Sequence, residues 1–130
     1  MVDLCNCYAT FLRTLVNIFA TGTVLELKPK QYKVDILGGW NVNLGQFKLK
    51  LHNQKTGTII EPEGTTLWPV QSIIKSRRAK RIFRFSILEP GSYELEISNP
   101  ETISVKPSNL WITSNFQAAV PNEQLDLAIG

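Results

Sequence analysis

Along much of this chain polar and apolar residues alternate with a period of two, most cleanly from Arg81 to Ile97. Phe83, Phe85 and Ile87 alternate with Arg84 and Ser86. After Glu89-Pro90-Gly91-Ser92, Tyr93, Leu95 and Ile97 alternate with Glu94 and Glu96. Such alternation on both sides of a Pro-Gly turn predicts two antiparallel strands with one buried face. Thr23 to Lys28 reads as a first strand, and Tyr32, Val34 and Ile36 alternate with Lys33 and Asp35 in a second that ends at Gly38-Gly39. Phe47, Leu49 and Leu51 face inward, with Lys48, Lys50 and His52 outward. Asn53 to Gly57 then turns the chain into a short strand at Thr58 to Ile60. Leu67 to Ile74 predicts a further strand, which Pro69 confines to an edge or a bulge. Two short strands, at Ile103 and Val105 and at Leu110 and Ile112, surround Pro107-Ser108-Asn109. Eight or nine short strands separated by turn signals predict an all-β fold, an antiparallel β-sandwich of immunoglobulin-like or jelly-roll-like type.

The ends of the chain have a different texture. At helical spacing Leu4, Tyr8, Phe11, Leu12, Leu15, Val16 and Phe19 form one stripe, with Asp3, Asn6, Thr10, Arg13, Thr14 and Asn17 opposite. Residues 1–20 therefore predict an N-terminal amphipathic helix whose Phe11, Leu15 and Phe19 pack on the β-domain. Asn6, Arg13 and Asn17 interrupt the run too often for a membrane span, and Asp3 stands where a signal peptide carries basic residues. Residues 21–113 form the expected β-sandwich domain. Residues 114–130 are expected to be an edge strand or a tail, with Leu125, Leu127 and Ile129 as the strand candidates.

At 130 residues the chain is one domain's worth, and 43% hydrophobic and 19% charged residues suit a globular fold. The phrase PGSYELEI, Pro90 to Ile97, resembles the Pro-Gly turn and Tyr-led strand of immunoglobulin-like sandwiches. That resemblance covers about a dozen residues and implies architecture only. The Cys–Trp–Cys spacing of antibody-type domains is missing, because both cysteines, Cys5 and Cys7, precede the β region. Two cysteines so close together make no disulfide framework and lean towards a reducing, cytoplasmic setting.

Chemistry has few footholds. Cys5, Cys7 and the single His52 fall short of a four-ligand zinc site, and there is no calcium loop, so neither metal nor cofactor is expected. No nucleophile elbow or phosphate-binding loop occurs, and Glu94 and Glu96 lie on an outward strand face rather than across a cleft. A small hydrolase with a loop-lined site around Trp40 and His52 is the weakest of the functional expectations.

Two features stand out from this background. Lys75, Arg77, Arg78, Lys80 and Arg81 place five positive charges within seven residues, and Arg84 continues the run. Between two predicted strands this cluster is expected to project as a hairpin or loop. It is a candidate contact for the phosphates of nucleic acid or for an acidic membrane. The second feature is GGWNVNLG, where Trp40 with Asn41 and Asn43 makes a candidate ligand loop. Trp68 and Trp111 also fall off the obvious core phase. A non-catalytic binding or assembly module is therefore expected, meeting a protein partner, another copy of itself or a carbohydrate through strand-end loops or the N-terminal segment.

Overall fold

A computed structural model of the chain describes residues 14–64, 71–74, 77–106 and 120–130. Among the described residues the protein is built of antiparallel β-strands with two short 3-10 turns. The strands are β1 (Thr14–Asn17), β2 (Val24–Leu27), β3 (Lys30–Leu37), β4 (Asn41–Asn43), β5 (Lys48–Asn53) and β6 (Ile59–Ile60). They continue as β7 (Glu63–Gly64), β8 (Gln71–Ile74), β9 (Arg77–Ile87), β10 (Gly91–Ser98), β11 (Ser104–Lys106) and β12 (Asp126–Ile129). A six-stranded sheet runs β1-β12-β3-β9, with β7 and β8 sharing the far side of β9. A four-stranded sheet runs β2-β10-β5-β6, and β4 pairs with β11.

The alternating phrases form the strands they predict. Tyr93, Leu95 and Ile97 of β10 lie opposite Asn53, Leu51 and Leu49 of β5, and these apolar side chains are buried. Val34 and Ile36 of β3 enter the same hydrophobic cluster, with Phe83, Phe85 and Ile87 of β9. One core is thus fed by both large sheets. Each Leu, Ile or Phe sealed into it contributes roughly 1.5–3 kcal/mol. Two tyrosines also fasten turns: Tyr93 Oη donates to the Glu89 carbonyl at 2.7 Å, and Tyr32 Oη accepts from the Lys28 amide at 2.9 Å.

Three expectations need correction. Thr14–Asn17 is a strand and not the end of a helix, pairing with β12 from Thr14–Ile129 to Asn17–Asp126. Val16 and Ile18 are buried, while Leu15 and Phe19, expected in the core, are 38% and 46% exposed. β-branched Thr14, Val16 and Ile18 favour the extended chain, and β12 supplies the ladder that an isolated helix would lack. The remainder of the expected helix, residues 1–13, lies outside the described residues. The C-terminal strand β12 is no edge, since it is inserted between β1 and β3, and Leu127, Ala128 and Ile129 are buried.

The third correction concerns the basic cluster, expected as a projecting hairpin or loop: a hairpin is present, but its charges lie on paired strand and not in a loop. Arg77 to Arg81 form the first half of the 11-residue strand β9, and β8 pairs back on them from Ile74–Arg77 to Gln71–Lys80. Val34 lies opposite Phe83 but Asp35 lies opposite Arg81, so Ile82 is an extra residue, a β-bulge. Unbroken alternation from Phe83 would aim Arg81, Ala79 and Arg77 at the core. The bulge turns them to the opposite face, beside Asp35 and Leu37, and keeps both Ile82 and Phe83 buried. The strand expected around Leu110 and Ile112 lies outside the described residues.

Candidate functional site

β3 ends at Leu37, and Gly38 holds the next step of the chain by donating its amide to the Arg78 carbonyl at 2.8 Å. Its φ is +144°, and a Cβ there would sit 2.7 Å from Leu125 Cδ2, so glycine is required on both conformational and steric grounds. This close passage delivers Trp40 to the side of the β8–β9 hairpin. The indole Nε1 donates to the Ser72 carbonyl at 3.2 Å, and the Arg78 guanidinium lies over the ring, 4.6 Å from its centroid. The tryptophan is only partly buried. Its partners fix its orientation at the end of the six-stranded sheet.

Beside it opens a cleft of about 490 Å³, lined among the described residues by Gly38, Arg77, Arg78, Val120 and Gln124. Arg77 is anchored in its wall: Nη1 donates to Asp126 Oδ2 at 2.6 Å and Nη2 to the Gln124 carbonyl at 2.7 Å. Asp126 is further tied to Asn17, whose Nδ2 donates to Asp126 Oδ1 at 3.3 Å. Neighbouring strand residues point to opposite faces, yet Arg77 and Arg78 both reach this cleft because it straddles the sheet end.

The nine residues singled out from the sequence have divergent roles. Arg77 and Arg78 line the cleft, and Trp40 stands next to it under the Arg78 guanidinium. Lys80 is partly buried in β9, opposite Ile36 and Gln71. Arg81 Nε donates to the buried carboxylate of Asp35 at 3.2 Å, and Arg84 Nε to Glu63 at 3.3 Å on the surface. Asn43 completes a turn, its Oδ1 accepting the Gly45 amide at 3.1 Å, and Asn41 pairs with Lys106 between β4 and β11. Lys75 lies outside the described residues, as do Trp68 and Trp111. His52 bonds to Glu96 at 3.2 Å on the four-stranded sheet, whereas Trp40 is attached to the six-stranded one. The two are not brought into one mouth.

Sequence reasoning missed Gly38, Val120, Gln124 and Asp126 as parts of the site. The Gly38-Gly39 pair was read as a strand end and as the opening of the GGWNVNLG loop, without Gly38 as a wall of the site. Val120 and Gln124 carry no local signal, because long-range pairing of β12 alone places them there. Among the described residues no three His, Cys, Asp or Glu side chains form a group able to hold a metal. None of their helices is long and apolar enough to cross a membrane. No family model, curated protein or solved structure matches this chain.

Proposed function

We propose that the protein is a non-catalytic binding module, a β-sandwich of immunoglobulin-like or jelly-roll-like type that engages a protein partner at the sheet end occupied by Trp40. The observation that carries this reading is the Trp40–Arg78 pair. A partly buried tryptophan is tethered through Nε1 and covered on one face by the guanidinium of Arg78, which itself lines an open cleft. Tryptophan and arginine are the residues that most often dominate protein interfaces, because they combine a large contact area with directional hydrogen bonding. Holding both in place before binding lowers the ordering cost of association. The arginine over the ring also favours a protein ligand over a sugar, which needs a bare aromatic face.

The test is selection of a displayed random peptide library on the immobilised protein, repeated with Trp40→Ala. Peptides enriched on the wild type and lost on the variant, with unchanged melting temperature, support the reading. Peptides bound equally well by both would move the recognition surface elsewhere.

A further inference from the structure

The far end of β9 from Trp40 carries a second opening. The geometry points to a strand-addition site there: an extended peptide of a partner pairs its main chain with the open edge of β9 at Ser86 and offers one carbonyl to the side chain of Asn53.

β9 has an unpaired stretch of edge. Lys33 exchanges both of its backbone hydrogen bonds with Gly130, each at 3.0 Å. By alternation Tyr32 and Lys30 turn theirs to Phe85 and Ile87 of β9. Ser86, between those two, therefore aims its N–H and C=O away from β3. β7 pairs with β9 at Phe83 and Arg84, and among the described residues no strand continues that ladder to Ser86. Two clefts meet at this edge, of about 420 Å³ and 350 Å³, both lined by Ser86 and Ile60. Leu88 lines the larger one and is 87% exposed.

Asn53 gives a second, independent sign at the same place. It lines the larger cleft and is only 5% exposed. Its Oδ1 accepts the amides of Lys55 and Thr56 at 2.9 and 3.1 Å, which fixes the orientation of the carboxamide. Nδ2 is then left without an acceptor among the described residues. A buried donor in that state is destabilising, and a ligand carbonyl entering the cleft relieves it.

The groups on offer identify the occupant. Ser86 presents one donor and one acceptor and Asn53 a further donor, the complement of an extended peptide main chain. Leu88 and Ile60 provide an apolar seat for one of its side chains. β7 closes the open stretch at Arg84, and Pro90 ends it beyond Leu88. Two folded sheets cannot meet edge to edge along so short a stretch, whereas a single extended chain fits. Ser86 lies eight residues along β9 from Arg78, roughly 26 Å, so this site is separate from the Trp40 surface.

The experiment selects a displayed random peptide library on the full chain and keeps the binders indifferent to Trp40→Ala, a class apart from those that define the other surface. Synthetic copies are then N-methylated one residue at a time. Strand pairing predicts losses of roughly tenfold or more at alternate residues and little effect between them. Asn53→Asp keeps an oxygen for the Lys55 and Thr56 amides but removes the donor, and should weaken the peptide by a similar factor. Leu88→Asp alters a side chain in open solvent, so it should leave the melting temperature unchanged and still reduce binding. The N-methyl series leaves the protein untouched and reads the pairing even if a variant folds poorly. No binder of this class, or binders indifferent to both variants, would overturn the inference and leave the Trp40 reading standing. Loss with Leu88→Asp but no alternation in the N-methyl series would replace strand pairing by side-chain docking. Concentration-dependent dimerisation abolished by Leu88→Asp would make the occupant a second copy of the chain and overturn the peptide assignment.

Discussion

Two ion pairs on β9 differ in burial, and the difference decides what each contributes. The side chain of Asp35 is 1% exposed and that of its partner Arg81 18%, whereas Glu63 and Arg84 are 74% and 54% exposed. Arg81 supplies one of the contacts of the buried Asp35 carboxylate, so Arg81→Met should cost about 1.5–3 kcal/mol, the loss of a hydrogen bond to a charged group. Arg84→Gln breaks a solvent-screened pair and should change stability by less than about 1 kcal/mol. Urea unfolding of the two variants checks the contrast, and equal losses would mean that the Asp35 carboxylate is satisfied without Arg81. Glycine makes a second sharp case at this scale. Gly45 has φ +57°, and a Cβ there would lie 2.5 Å from the Thr102 carbonyl oxygen. Gly45→Ala must push apart the turn that joins β4 to β5 and should lose about 1–3 kcal/mol. Gly57→Ala, with a φ of +75° but nothing within 4 Å, isolates the dihedral part of that cost. A Gly45→Ala melting temperature no lower than that of Gly57→Ala would show that the Thr102 contact yields freely.

Elements were legible in proportion to how far one buried face imposed a period. β5 and β10 could be read outright, because Leu49, Leu51, Leu95 and Ile97 alternate with charges for several residues. β1 could not, since Leu15, Val16 and Phe19 fit a helical stripe as well as a strand and only the distant β12 decides between them. The first half of β9 was hidden for another reason. Its charged residues are satisfied on both faces, by Asp126 and Asp35 on one and over Trp40 on the other, so no hydrophobic alternation survives. β4 and β7, of three and two residues, are too short to hold a period at all, whereas β6 was legible through the turn that precedes it. The candidate site was legible only through Trp40 and the arginines, while the walls that give it shape come from residues joined by topology. β12 carries the clearest consequence at this scale. Leu127 is fully buried between β1 and β3, so Leu127→Ala should cost about 2–5 kcal/mol, as a core truncation does. Hydrogen exchange should place the amides of β12 with the slowest-exchanging core of β3 and β9. Early exchange there, as at a fraying terminus, would show that the strand is a late addition to an already stable sheet.

At the scale of the whole molecule the net charge of +3 and the run from Lys75 to Arg84 suggest a polyanion binder, and the structure redistributes that charge. Of the five basic residues described between Arg77 and Arg84, three are bonded to carboxylates: Arg77 to Asp126, Arg81 to Asp35 and Arg84 to Glu63. Each pair must be broken, or a phosphate must compete with it, before its arginine releases counterions from a nucleic acid. Even with the contacts of Arg78 yielding as well, Arg78 and Lys80 set an upper limit of two for this strand. Binding to single-stranded DNA scales with salt by about −0.7 per phosphate contact, so a slope no steeper than about −1.4 is expected. All five contacts acting together would give about −3.5. Filter binding of an oligothymidylate at about 50 mM and 200 mM salt separates these values. A shallow slope fits a surface whose charges mainly hold strands together and present one arginine over a tryptophan. A steep slope that flattens with Arg81→Gln and Arg84→Gln would mean that the carboxylate pairs open on contact, and that the sheet edge is itself the binding track.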